Sequence, residues 1–367
     1  MKIRKTVAVF VIFTLLLSLF ACTKKESAMS LGSVSVSGGI YAYYLACYKQ
    51  YWLSALGQAD EAAFWRTEND GITNADRLTQ ISEEAIKKRI AAAYLFDNYG
   101  LKLTDAELKS IDMMIVGMNA ASDGKNAVAE DEIFKQLGVN EDDIKQILIL
   151  DSKTGALQDH LYGEDGERKI TDEQKEAYYQ RNYCRFRLLY LMNGDFIRDD
   201  DGNIVYNEDG VATVKEISDA RYEEKLELAK TVLASVRDGA DIMKYIEDYS
   251  DELEKDNYKN GRYLSDVSEY GTLISASVMK LKIGETGLLD SKNGIYVIQR
   301  IELDDYAWKN PENEAGGDFN NFETLVLEYE FDEYLKPHME KIVTNTEITQ
   351  KYKMEELPYI FSWQYLF

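Results

Sequence analysis

Histidine is almost missing from this chain of 367 residues, which holds only His160 and His338. That scarcity excludes most chemistry run by imidazole, because a Ser-His-Asp triad or an HExxH zinc site needs the ring beside set partners. His160 lies in GALQDHLYGEDG and His338 in YLKPHMEKIV, and neither has a partner at metal or triad spacing. Both read as solvated or locally bonded rings. Cysteine is nearly as rare, with Cys22, Cys47 and Cys184 in no CxxC pair and at no ligand spacing. Cations are short too: 42 Lys and Arg face 65 Asp and Glu, a formal net charge of −23. A chain of that sign repels phosphate backbones, so no nucleic-acid partner is expected. The acidity reads as a solubilising surface, with affinity for basic unfolded chains or wall cations as the alternative. Glycine-rich phosphate loops, serine elbows and repeated strand-helix units with glycine-rich turns are absent as well. No cofactor and no metal are expected.

Long apolar runs are also lacking, apart from one at the start. Lys2, Arg4 and Lys5 precede residues 7–20, which are apolar except for Thr14 and Ser18. The run is shorter than the roughly 20 residues a bilayer crossing needs. It ends in Leu19-Phe20-Ala21-Cys22, which resembles a bacterial lipobox. Residues 1–22 therefore read as a lipoprotein signal, Cys22 as the lipidated residue and 23–35 as a tether. Two acyl chains on an amino-terminal cysteine meet the requirement for stable anchoring, which places the remainder outside the cytoplasm on the bacterial cell membrane. Cleavage removes those three cations and leaves the rest more acidic still. Cys47 and Cys184 then read as buried free thiols, a bridge between them being the alternative.

The next stretch is helical by pattern. Tyr41, Tyr44, Leu45, Tyr48, Trp52 and Ala55 recur at three- and four-residue steps and predict a helix over 40–56, closed by Gly57. A second is predicted over 81–99, closed by Gly100. Thr104-Asp-Ala-Glu107 and Thr171-Asp-Glu-Gln174 are capping boxes that open further helices, the latter running to Asn182. Asn140 caps another that carries Ile144, Ile147 and Leu148 on one face. The succession Val36-Ser37-Gly38, a long helix, YGLKLTDAEL, LGVNEDDIKQIL and ITDEQKEAYYQRN resembles the helical module of SurA- and PrsA-like foldases. The resemblance implies a chaperone module over 36–182.

A second block begins with RFRLLYLM, a strand by composition. Next come two acidic turns around Ile204-Val205-Tyr206. A calcium loop is the alternative there, but counting from Asp199 places Ile204 where the EF-hand turn needs glycine and Gly210 where it needs an acid. Ser218 opens a helix striped by Tyr222, Leu226, Ala229, Leu233 and Val236, and a shorter helix covers 241–249. The stretch from Asn260 to Glu302 resembles the second half of a parvulin-type peptidyl-prolyl isomerase domain. The implied fold class is α+β: a discontinuous helical module with an inserted parvulin-like domain, 183–304, of a four-stranded antiparallel sheet and helices. Residues 305–367 would return to the module as a helix over 322–352, bent at Pro337, and an aromatic tail, YIFSWQYLF.

Carried over residue by residue, the family's first-strand histidine falls on Arg187 or a neighbour, and its last-strand histidine on Tyr296. Its polar cysteine or aspartate falls on Asp251, and its apolar proline-pocket residues on Tyr270, Ile274 and Met279. The resemblance thus implies an apolar pocket stripped of both histidines. Rotation about an X-Pro bond has a barrier of about 20 kcal/mol but requires no proton transfer, so an apolar cradle and one donor, such as Tyr296, could still serve it. The expected function is a membrane-anchored foldase for secreted proteins with a degenerate isomerase domain. An active isomerase with a remodelled pocket is the alternative, and a solute-binding lipoprotein a third reading. The partners expected are unfolded or extended secreted polypeptides, for which 26 tyrosines supply amphipathic contact area.

Overall fold

The computed structural model describes residues 26–69, 71–121, 127–207, 209–253, 255–265, 271–309 and 318–358. Cys22, Tyr270 and the tail 359–367 lie outside them. The protein is α+β, and the described residues fall into two compact units. One takes the chain up to Lys169 and again from Glu330; the other is Ile170–Tyr329. No helix among the described residues is long and apolar enough to cross a membrane.

The first unit opens with strand Ser27–Leu31, paired antiparallel to Val34–Ser37 on one side and Val343–Thr344 on the other. Ala28 and Met29 are fully buried. The expected tether over 23–35 is therefore corrected from Ser27 onward. Met29, Val34 and Val36 have enough apolar surface to join a core, which a free tether would leave in water. Ser37 accepts from the Ile40 N–H at 3.2 Å and caps helix Gly38–Ala55, whose residues from Gly39 to Cys47 are all buried. Helices Asn74–Asn98 and Glu141–Tyr162 pack around it. The first of these starts earlier than the pattern suggested because Thr73 supplies its cap, accepting from the Asp76 N–H at 3.0 Å. The Thr104/Glu107 capping box and the Asn140 cap form as the sequence predicts, and Asp143 adds a return bond by accepting from the Asn140 N–H at 2.9 Å.

The carboxy-terminal helix is Phe322–Met339, shorter than expected. Val343–Thr344 is taken as a strand partner for the amino-terminal hairpin, and Asn345 starts a separate short helix, Thr346–Thr349. A continuous helix to 352 would forfeit both. Pro337 sits in the last turn, where its missing N–H leaves the helix one bond weaker near its end. Phe331 and Leu335 are fully buried among Phe96, Leu157 and Leu161.

In the second unit four antiparallel strands lie in the order Arg262–Ser265, Tyr183–Met192, Gly294–Ile301, Thr286–Ser291. The two central strands are long and nearly continuously apolar, as strands covered on both faces must be. Helices Asp219–Arg237 and Ile242–Tyr249 bury Ala229, Val232, Val236, Ile242 and Ile246 in the sheet's core. Helix Asp172–Asn182 belongs to this unit, although sequence grouped it with the preceding helices. Its Tyr178 and Tyr179 pack against Tyr183, Phe319 and Phe322 in an aromatic cluster. Cys47, in the first unit, and Cys184, in the second, are buried and free.

The acidic insert is a ribbon folded on itself. Asp195–Phe196 pairs with Val214–Lys215, and further bridges join Arg198 to Ile204 and Tyr206 to Ala212. Three backbone bonds close a ring at its centre: Val205 N–H to Ile197 O at 2.9 Å, Thr213 N–H to Val205 O at 2.8 Å, and Ile197 N–H to Thr213 O at 2.9 Å. The two turns are built alike. Gly202 and Gly210 take φ of 85° and 74°, and the side-chain oxygens of Asp199 and Asn207 accept from the backbone N–H groups two and four residues on. Asp199 thus serves its own turn.

Candidate peptide-binding cleft

A cleft of about 580 Å³ opens on the second unit's sheet. Leu188, Tyr190 and Met192 supply its floor from one central strand and Tyr296 from the other, because side chains alternate faces along a strand. Ile274, from helix Gly271–Lys280, and Tyr258 stand at its walls. The rim carries Asn193, Glu252, Lys292 and Asn293, and Val214 reaches it from the ribbon.

Register fixes the floor. Tyr296 pairs directly with Tyr190, and their rings stack with centroids 4.9 Å apart and planes 12° apart. Gly294 permits the arrangement. At φ 145° a Cβ there would lie 2.7 Å from the Tyr190 ring and 2.6 Å from the Leu191 carbonyl oxygen. The Tyr190 hydroxyl donates to the Asn293 carbonyl at 3.0 Å. Burial, then the neighbouring Tyr296, pushes the Tyr190 phenol up to about 12. Burial also raises Tyr296 and Tyr258, with the neighbouring Tyr190 and Ser291 hydroxyls opposing the rise at Tyr296. The cleft therefore holds neutral phenols that can donate a hydrogen bond but are poor bases near neutral pH.

Those phenols make stability depend on pH in the alkaline range. Tyrosine in an unfolded chain ionises near pH ~10, whereas Tyr190 in the fold keeps its proton to about 12. Between the two the folded state binds more protons, so stability is fully present below pH ~10 and falls as pH climbs through the folded value. Tyr222, raised to about 12 chiefly by its hydrogen bond to Asp290, acts in the same sense. Thermal melts are expected to be flat between pH ~8 and ~10 and to drop above, with a shallower drop in Tyr190→Phe.

Of the residues that sequence pointed to, the cleft unites Tyr296 and Ile274. Arg187 is not in it. Paired with Gln299, it faces away from Leu188 and Tyr190, and its guanidinium donates to the Lys259 carbonyl at 2.9 Å, with Asp241 at 3.9 Å. A one-residue slip along a strand changes the face, so the position that looks into the cleft is Leu188. Asp251 is not there either. Its Oδ2 accepts from the Met192 N–H at 2.9 Å and from Lys225 Nζ at 3.1 Å, tying down the end of the strand. The next residue, Glu252, lines the rim instead. Met279 rests against the Cys184 thiol with sulfurs 3.1 Å apart. Five residues beyond Ile274, it lies more than a third of a turn around the helix, outside the cleft lining. Tyr190, Tyr258, Glu252 and Lys292 were not singled out from sequence. Only the strand register and the rim loops reveal them.

No known family profile matches the chain, and no curated protein matches it. Solved crystal structures match the chain only weakly and at low identity. PrsA from Bacillus subtilis is 14% identical, with 83% of this chain and 96% of that one covered and a TM-score of 0.23. Peptidylprolyl isomerase (PrsA) from Bacillus anthracis is 13% identical, with 71% and 96% covered and a TM-score of 0.27. Foldase protein (PrsA) from Lactococcus lactis is 12% identical, with 89% and 99% covered and a TM-score of 0.24. This is a weak likeness at the level of the fold, and function has to be argued from the cleft.

Proposed function

We propose that this protein is an extracytoplasmic foldase, anchored through Cys22, whose parvulin-like unit grips extended segments of secreted polypeptides without histidine-assisted isomerisation. The observation that carries the reading is the cleft itself, an apolar floor of Leu188, Tyr190 and Tyr296 walled by Ile274 and Tyr258. A cleft of about 580 Å³ lies within the range, ~300–1,000 Å³, of sites that bury a ligand group the size of a few side chains. The sequence resemblance of 36–182 to a chaperone module supports the same reading.

What the floor can do to a proline bond is limited. A twisted amide is favoured by an apolar cradle and by a donor that is stronger in the transition state than in the ground state. The Tyr190 proton already goes to the Asn293 carbonyl, which leaves the Tyr296 hydroxyl as the candidate donor on the floor. The test is a pair of assays on residues 23–367: aggregation suppression with an unfolded secreted protein, and isomerisation of a proline peptide. Suppression without isomerisation is expected, and Ile274→Ala should weaken client binding about tenfold through lost apolar contact. Turnover that disappears in both Ile274→Ala and Tyr296→Phe would replace this reading with that of an active isomerase. Failure in both assays would remove the foldase reading.

A further inference from the structure

Resting on that reading, we propose that the cleft selects extended polypeptides in which lysine or arginine flanks the apolar residue it holds, and that the acidic ribbon supplies the preference. The rim alone has no reason to choose by charge, since it carries one acid, Glu252, and one base, Lys292. The ribbon does. Between residues 193 and 217 it carries seven carboxylates against Arg198 and Lys215.

Its base is fixed to the cleft. Buried Lys225 donates to the carbonyls of Met192 and Gly194 at 2.9 and 2.7 Å and to Asp251 Oδ2 at 3.1 Å, with Asp195 Oδ1 at 3.4 Å. Met192 is part of the cleft floor, so one ammonium holds floor and ribbon together. Val214 then carries the ribbon into the cleft wall, and the central ring of backbone bonds stiffens what lies beyond. Charge placed on such a frame is pre-organised rather than tethered loosely.

The acids are available to a ligand. Asp200, Asp201 and Asp209 are exposed and form no ion pair among the described residues. Asp199 is held below the usual carboxylate range by the backbone and side chain of Asn203, so it keeps its charge while serving the turn. Along the ribbon Gly210 is four residues from Val214 and Asp200 five from Asp195, so at about 3.3 Å per residue an extended peptide running beside it needs roughly four or five residues beyond the seated one to reach the turns. A basic flank of that length meets several carboxylates at once, and an acidic flank is repelled.

Two fluorescent peptides with one apolar centre, flanked by lysines or by glutamines, test the idea by anisotropy with residues 23–367. At ~0.05 M salt the lysine peptide should bind about tenfold more tightly, the sum of several weak exposed pairs, and the advantage should shrink at ~0.3 M. The variant D200N/D201N/D209N should cut it at least by half in free energy while glutamine-peptide binding stays unchanged, because these side chains make none of the turn's hydrogen bonds. Ile274→Ala should weaken both peptides alike. Equal binding of the two peptides, or an advantage undiminished in the triple variant, overturns the inference and leaves the foldase reading standing. Binding of neither peptide overturns the foldase reading, and this one with it.

Discussion

Replacing Lys49 by methionine is expected to destabilise the first unit by about 3–5 kcal/mol, towards the lower end, because it breaks a buried ion pair from one side. The Lys49 side chain has no exposed surface and its Nζ lies 2.8 Å from Asp60 Oδ2, 2.8 Å from the Leu357 carbonyl oxygen and 5.3 Å from the centre of the Trp65 ring. Trp65 in turn donates to Asp60 Oδ1 at 2.7 Å. Asp60 is 31% exposed and can regain some water when the ammonium goes, which is why the lower end applies. The Leu357 carbonyl is less fortunate, since it loses the partner that fixes the last described segment to helix Gly38–Ala55. Hydrogen exchange along that helix reads the loss directly, and Lys49→Arg should recover part of it. Protection unchanged in Lys49→Met would show the pair to be idle.

Lys225→Met should cost a similar amount, about 3–5 kcal/mol, in the second unit, where its loss also has a local signature. The ammonium it removes serves two carbonyls and two carboxylates, and Asp251 and Asp195 would then be near each other without the cation between them. Exchange protection should fall in strand Tyr183–Met192 and through the ribbon, while the helices of the first unit keep theirs. Client binding should weaken with it, because Met192 belongs to the cleft floor. A loss of stability confined to the ribbon would assign Lys225 to the insert alone.

Local rules carried much of this fold. Ser218, Thr171 and Asn140 each cap a helix because a short oxygen-bearing side chain reaches an N–H three residues on, a geometry independent of anything distant. The sheet was legible for a related reason, since its strands are apolar runs bounded by turns. Arg187 shows where that reasoning stops. The apolar pattern of RFRLLYLM marks a strand, but both faces are covered, so no alternation tells which residues look into the cleft. Asp251 failed differently: its partner, Lys225, is 26 residues away and comes into reach only through packing. A buried lysine such as Lys49 leaves no mark in sequence, because lysine is ordinarily a surface residue and its oxygens lie up to 308 positions off. The segment from Ser27 looked like a tether because five residues of a strand mean little until a partner from position 343 arrives.

The ribbon leaves the sheet after Met192 and returns through Lys215, the residue paired across from Asp195. Its two ends are therefore neighbours, and the strand order is the same whatever lies between them. Ile197, Val205 and Thr213, the members of its hydrogen-bonded ring, stand eight residues apart. The insert is thus a spacer that can be lengthened or trimmed by whole turns without shifting Tyr190 against Tyr296. Reach and charge beside the cleft can be altered there while the floor of Leu188, Tyr190 and Tyr296 stays as it is.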